Sequence, residues 1–425
     1  MTETTHPPSY YAATANPFPD LPALAGDHDC DVCVVGGGFT GLSAALELAR
    51  RGYDVVLLEA KRLGWGASGR NGGQIVSGYA ADQAGLSARL GEATARRLWD
   101  MAEEAKALIR ERVAAHRIDC DLKWGYIFAA NKARHMSELA RTVEHWSHAY
   151  GYEGLRLLDR AAIEARVGTT RYHGGLHDPG SGHLHPLNYA LGLAEAARAA
   201  GARLFEGSEV TAIEGGGRPS ARTAAGRVRS RHLVLAGNAY MGPLAASMYR
   251  RIMPVGSCIA ATEPMDRAMA RRLIRDDEAV ADCNFILDYF RLSADRRMLF
   301  GGRASYSTLQ RRDLADFMRR KMLHVFPQLA GRRIDYAWGG NLGITLNRLP
   351  HLGRIDGETY FAHGFSGHGV ALSGLAGKLM AEAVAGTAER FDVFARIPHR
   401  PFPGGRFRKP LLVLAMLYYR LRDLL

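Results

Sequence analysis

The sequence predicts an α/β protein: a Rossmann-like dinucleotide-binding domain carrying an inserted α+β domain made of an antiparallel sheet plus helices. Three observations predict it. Residues 31–59 read as a strand, a glycine turn, a helix and a second strand that closes on an acidic residue. A strand, glycine turn and small-residue helix recurs near the other end, at 359–378. Between them lie stretches of different pattern, among them residues 284–303, which alternate like an antiparallel pair. The dinucleotide domain is therefore expected in pieces, 30–80, 180–240 and 334–390. The inserted substrate domain takes 81–179 and 241–333, with an arm at 1–29 and a basic, apolar tail at 391–425.

Each element has a local reason. Asp31 to Val35 is a short β-branched run suited to a buried parallel strand. Gly36 then supplies a tight turn, Gly38 lets backbone approach a pyrophosphate, and Phe39, Thr40 and Gly41 open a helix whose amides favour an anion. That helix runs through Leu42 to Arg51 and stops at Gly52; Tyr53 to Leu58 is the next strand, followed by Glu59 and Ala60. Glu59 stands about 20 residues past the glycines, where a carboxylate accepts hydrogen bonds from a ribose. A glycine motif alone matches many turns; the strand before it, the helix after it and the acidic residue make this one specific.

Leu86 to His116 and Ala133 to Tyr150 have helical periodicity, and Asp121 to Ala130 reads as paired strands around a Gly125 turn. His185 and Pro186 precede an alanine-rich helix that ends at Gly201. Strands follow at Arg203 to Phe205, Glu209 to Glu214 and Arg231 to Ala236, the last running into Gly237 and Asn238. Asn284 to Arg291 pairs with Met298 to Arg303 through a turn at Asp295, with Phe285, Leu287 and Tyr289 on one apolar face.

Composition narrows the function classes. The 425 residues suffice for two domains, and 47% hydrophobic content is that of a globular chain. The net charge of +12 comes from scattered arginines that are not interleaved with aromatics, so no nucleic-acid groove is expected. Five cysteines, odd in number and dispersed, exclude a disulfide framework, and the Cys30–Cys33 pair lies in or beside a buried strand rather than at a helix N-terminus. No metal-ligand pattern stands out. Met1 to Ala25 lacks the apolar core of a signal peptide, which predicts a cytoplasmic protein. Leu411 to Tyr419 is continuously apolar between Arg406, Arg408, Lys409 and Arg420, Arg422, too short to span a bilayer; it suits packing onto the body, a peripheral membrane contact or a dimer contact.

The stretch Gly64 to Gly73, GWGASGRNGG, separates the possible cofactors, because a nicotinamide protein has no need of a second glycine-rich loop just after the acidic residue. This loop resembles the second loop of the D-amino-acid oxidase, sarcosine oxidase and glycine oxidase superfamily of FAD-dependent oxidoreductases, and the likeness covers about Asp31 to Gly386. It implies FAD, with Ser68, Gly69, Arg70, Asn71, Gly72 and Gly73 along the ribityl chain and ring, backbone around Val210 holding the adenine and the Gly237–Asn238 loop approaching the cofactor. Gly364, Ser366, Gly367, His368, Gly369 and Val370 would face the N1 side of the ring, where helix amides stabilise the charge of reduction. Some members of the superfamily attach flavin covalently through cysteine or histidine; no cysteine stands near this last loop or in the Trp338 to Asn341 approach to it, which predicts non-covalent FAD.

Four stretches, YYAATANP at 10–17, GASGRNGGQ at 66–74, GFSGHG at 364–369 and the PLLVLAMLYYRLRDLL tail, are similar to bacterial gamma-glutamylputrescine oxidases. That similarity implies hydride transfer from the α-carbon of a small-molecule amine to flavin N5, giving an aldehyde, ammonia and hydrogen peroxide, with molecular oxygen or another electron acceptor. A secondary amine or amino acid as substrate, and an electron-relay subunit, stay open as alternatives. Arg70, Gln74 and His368 are the catalytic candidates. Trp124, Tyr126, Tyr289 and Trp338 can wall an amine, and Arg291 can pair with a glutamyl carboxylate. Arg303 stands where a lysine that speeds reaction with oxygen would be sought.

Overall fold

The computed structural model describes residues 5–302, 312–408, 410–411 and 413–414. Its first sheet runs, in spatial order, His351–Arg354, Thr359–His363, Gly226–Leu235, Gly26–Val35, Val55–Leu58 and Arg203–Phe205. The four inner pairings are parallel and the His351–Arg354 edge is antiparallel. Val32 to Val35, Val55 to Leu58 and Leu233 to Leu235 are buried without alternation, as strands covered on both faces must be. Helices Phe39–Arg50, Pro186–Ala199 and Gly369–Val384 pack closely together because their contacts are small: a Cβ at Gly377 would lie 2.4 Å from the Thr40 carbonyl oxygen. The His185 side chain caps the Pro186–Ala199 helix, accepting from the Asn188 amide at 3.1 Å.

The second sheet runs Ile334–Ile344, Met253–Thr262, Met298–Gly302, Tyr289–Leu292, Ala279–Asp282, Lys123–Ala130, Gly174–His183 and Gln74–Ile75, with Arg156–Leu158 on the side. Most of its pairings are antiparallel; Ala279–Asp282 beside Lys123–Ala130 is parallel. Helix Leu314–Val325 lays Met318, Met322 and Val325 into the core on one face of this sheet.

Several elements differ from the sequence expectation. The helix expected over 86–116 is two, Gln83–Leu90 and Glu92–Ala115, broken where Gly91 takes φ 82°. Both pack into the core under the parallel sheet rather than into the inserted domain. The 121–130 stretch holds one strand, Lys123–Ala130, not a hairpin: Gly125 (φ 122°) makes a bulge between Trp124 and Tyr126. Only Tyr289–Leu292 of the 284–291 stretch is strand, because the Asp282 carboxylate accepts from the Asn284 and Asp288 amides and winds 283–288 into a loop. Of 209–214 only Ala212–Glu214 pairs. Gln74–Ile75 and Ile334–Ile344 belong to the second sheet, not to the cofactor domain. Arg303 and most of the apolar tail, with Lys409, Arg420 and Arg422, lie outside the described residues. Among the described residues no helix is long and apolar enough to cross a membrane.

Candidate active site

A cleft of about 370 Å³ opens beyond the carboxyl ends of the parallel strands. Its floor is backbone. Gly36 holds φ 111°, and a side-chain carbon there would sit 2.9 Å from the Ala236 carbonyl carbon. Gly38 caps the first helix, and the Phe39 amide donates to Ser68 Oγ at 3.0 Å, which draws the second glycine loop over the helix start. Glu59 accepts the Gly37 amide at 2.7 Å and the Lys61 amide at 2.9 Å. Burial raises its pKa, and these backbone donors oppose the rise.

Gly36, Gly38, Phe39, Thr40, Glu59 and Ala60 line this cleft, as do Ser68, Asn71, Val210 and Gly237. From the C-terminal loop come Ser366, Gly367, Gly369 and Val370. Seven expected cofactor residues are off its wall: Arg70, Gly72 and His368 line the cavity beside it, and four line neither. Gly41 serves close packing, since its Cβ would meet the Gly36 carbonyl oxygen at 1.9 Å; Gly69 likewise abuts the Gly64 carbonyl and Gly73 the Leu184 carbonyl. Gly364 turns the chain at φ 76°, its amide donating to Asn238 Oδ1 at 2.9 Å. Asn238, of the anticipated Gly237–Asn238 loop, lines the cleft, and so do Tyr240 and Met241, which were not anticipated as wall residues.

A second cavity of about 520 Å³ shares Ala67, Asn71, Leu342, Ser366, Gly367 and Val370 with the cleft, so the two are continuous. Arg70, Gly72, Gln74, Tyr126, Tyr289 and His368 line it. Each polar group among them is already directed. The Arg70 guanidinium donates to the Trp65 carbonyl and, at 3.3 Å, to that of Gly339, and stacks 4.3 Å over the Trp65 ring. Gln74 donates to the Val280 carbonyl at 3.1 Å and accepts from the Tyr126 hydroxyl at 3.2 Å. The Tyr289 and Ser257 hydroxyls are 3.0 Å apart. His368 Nδ1 donates to the Gly78 carbonyl at 3.3 Å, and burial lowers its pKa to about 4, so the ring is neutral near pH 7.

Three of the five substrate candidates are elsewhere. Arg291 is enclosed, donating to the Gly72, Leu184 and Leu292 carbonyls at 2.8, 2.9 and 3.0 Å and to the Tyr11 hydroxyl at 3.1 Å. It fastens the arm helix Tyr10–Ala13 to the glycine loop, and its donors meet protein oxygens rather than a cavity. Trp124 lies under the Arg110 guanidinium, 3.7 Å from its ring centroid. Trp338 is buried against Tyr11 and donates to the Arg70 carbonyl at 3.1 Å. The sequence reading missed Phe128, Asp282, Cys283, Asn341 and Arg348, which do line the second cavity. Burial, with Asp288 nearby, raises the Asp282 carboxyl to about 7. No lysine is among the described residues of this wall; Lys321 is ion-paired to Asp288 behind it.

These residues fit a flavin dinucleotide. Glycine backbone that a Cβ would fill and a helix N-terminus suit a pyrophosphate, and the Glu59 carboxylate on the cleft wall suits ribose hydroxyls. A second helix, Gly369–Val384, begins at the junction of the two cavities. No cysteine or histidine is among the described residues of the cleft, and Cys283, on the second cavity, has its thiol pushed up to about 12 by burial.

The family described as FAD dependent oxidoreductase matches residues 31–383. Gamma-glutamylputrescine oxidoreductase of Escherichia coli (strain K12) is 46% identical over 422 residues, 99% of each chain. Glycine oxidase of Geobacillus kaustophilus (strain HTA426) is 26% identical over 384 residues, 86% of this chain and 96% of its own. The crystal structure of glycine oxidase from Geobacillus kaustophilus superposes with a TM-score of 0.73 at 24% identity, covering 88% of this chain and 100% of that one, a likeness of fold.

Proposed function

The chain belongs to the family of FAD dependent oxidoreductases, and from that premise we propose that it oxidises the primary amine of a gamma-glutamylputrescine-like substrate to an aldehyde. The amine carbon loses two electrons, water replaces nitrogen, ammonia leaves, and oxygen takes up the electrons as hydrogen peroxide. The observation that carries this reading is the likeness, over nearly the whole of both chains, to an enzyme named for that substrate. Bound FAD supplies the acceptor for the hydride leaving the amine-bearing carbon.

The chain's own residues bind, orient and desolvate. Tyr126, Phe128, Ile259 and Ile344 give the second cavity apolar walls suited to a tetramethylene chain. Reaction needs the neutral amine, and desolvation by these walls disfavours ammonium. The charged groups among the described residues of that wall act in the same sense: two guanidiniums, Arg70 and Arg348, against one carboxyl, Asp282, itself raised to about 7. Arg70 and Gln74, directed to backbone carbonyls, serve as positioning residues for the wall. His368 stays neutral and adds no cation next to the amine.

Turnover by the purified holoenzyme, with peroxide and ammonia both measured, tests the reading. Gamma-glutamylputrescine is expected to exceed putrescine, sarcosine and glycine in kcat/KM by at least about tenfold. Preference for sarcosine or glycine would overturn it in favour of a secondary-amine or amino-acid enzyme. Aldehyde formed only with an artificial electron acceptor would remove oxygen from the proposal and keep the substrate.

A further inference from the structure

We infer that His368 Nε2 accepts a hydrogen bond from the reacting amine and orients it for the loss of hydride; this rests on the amine-oxidation reading above. His368 lines the second cavity, and its chain neighbours Ser366, Gly367 and Val370 lie on the strip that this cavity shares with the dinucleotide cleft. The ring therefore stands at the cofactor end of the cavity, where the amine-bearing carbon must come. The other polar side chains on that strip are committed. Asn71 donates to the Ala67 and Ser68 carbonyls at 3.0 and 2.8 Å and accepts the Gly73 amide at 2.7 Å, and the Ser366 hydroxyl donates to the Gly364 carbonyl at 3.0 Å.

The two ring nitrogens of His368 have different surroundings. Nδ1 faces the Gly78 carbonyl and so carries the hydrogen, which makes Nε2 of the neutral ring an acceptor. The residue keeps part of its surface accessible, and Nε2 has no hydrogen-bond partner among the described residues. The carbonyl that fixes this tautomer is itself held. Ser77, next to it, donates its amide to Ser181 Oγ at 2.9 Å and its hydroxyl to Asp178 at 2.7 Å, and accepts from the buried Lys106 ammonium at 2.6 Å. As the C–H bond breaks and hydride leaves to the bound flavin, the nitrogen lone pair forms a C=N bond and nitrogen turns cationic. Its N–H then donates more strongly, so an acceptor at that point stabilises the transition state more than the bound amine. The proton stays on nitrogen, and His368, its pKa lowered to about 4 by burial, takes none.

The test follows flavin reduction by gamma-glutamylputrescine in anaerobic stopped flow, with two variants that separate the two nitrogens. His368→Asn keeps a donor for the Gly78 carbonyl but has nothing at the Nε2 position, whereas His368→Gln carries an amide oxygen there. His368→Asn is expected to lower the limiting rate of reduction by about 30-fold or more, and His368→Gln by less than about fivefold. Both are expected to release FAD, followed by flavin fluorescence, as slowly as wild type. The opposite order of rates would overturn the inference in favour of a structural bond to Gly78, and equal rates in the two variants would overturn it as well. Should the variants fail to hold FAD, wild type decides: the N,N-dimethyl derivative of the substrate amine, which has no N–H to donate, is expected to reduce the flavin at least about 30-fold more slowly, and equal rates would overturn the inference. A wild-type flavin reduced by another amine but not by gamma-glutamylputrescine would bring down the substrate reading alone, and the same variants with that amine would still decide on His368. A flavin that no amine reduces would bring down both.

Discussion

The dinucleotide cleft and the cavity beside it meet along a shared strip, yet they are built from different materials. The cleft is made of main chain: the Gly36 turn, the Phe39–Arg50 helix start and the amides that hold Glu59. The cavity is made of side chains gathered from the second sheet, the 283–288 loop and the turn at Arg348. A backbone site tolerates no added carbon, whereas a side-chain site tolerates exchange and changes its preference.

The largest expected effect breaks the cleft outright. Gly41→Val places a carbon within 1.9 Å of the Gly36 carbonyl oxygen, so the turn and helix separate. The purified variant should be colourless or insoluble; a yellow protein of normal activity would show that the cleft gives way as the cavity does.

Arg291→Met should come next, because it strips donors from three buried carbonyls and from the Tyr11 hydroxyl. A loss of about 2–4 kcal/mol in denaturant unfolding is expected. KM for gamma-glutamylputrescine should stay within about twofold in whatever folded enzyme remains. A raised KM with unchanged stability would return Arg291 to the substrate site.

Glu59→Gln keeps shape but loses one of two acceptor oxygens, leaving either Gly37 or Lys61 without its partner. FAD affinity, followed by fluorescence titration of apoprotein, should fall about 10–100-fold. An unchanged affinity would show that the ribose end contributes little to binding.

The smallest effect concerns acid. His363 and His351 lie at the edge of the parallel sheet, their rings joined Nε2 to Nδ1 at 2.8 Å, and burial, then His399, lowers them to about 3 and about 2. The unfolded chain binds protons on them below its ordinary pKa of about 6.5 and the folded chain does not, so stability falls as pH drops through that value. A loss on the order of 1–2 kcal/mol between about pH 7 and pH 6 is expected, with His351→Gln flattening the slope. Stability that rises on acidification would contradict it.

Legibility followed the same division. A backbone site leaves its mark in glycine spacing, and the loops at 36–41, 64–73 and 364–369 could be read directly, although spacing did not separate glycines that face the cleft from Gly41, Gly69, Gly73 and Gly364, which only permit close packing or a turn. Side-chain sites leave no such mark. Arg291 looked like a ligand for an anion because it is a charge in a strand; its enclosure depends on Tyr11 and Leu184, distant in sequence. Arg348 went unnoticed because its place depends on a positive φ at a residue other than glycine. Periodicity also hid the helix break at Gly91 and the loop that the Asp282 carboxylate winds, since both arise where one residue's geometry outweighs the apolar pattern.

The visible spectrum of the holoenzyme under anaerobic conditions, before and after gamma-glutamylputrescine, tests the proposed activity most directly. Bleaching of the flavin band, reversed by air with peroxide formed, is the expected result. A flavin that stays oxidised with this substrate while another amine reduces it would contradict the proposal.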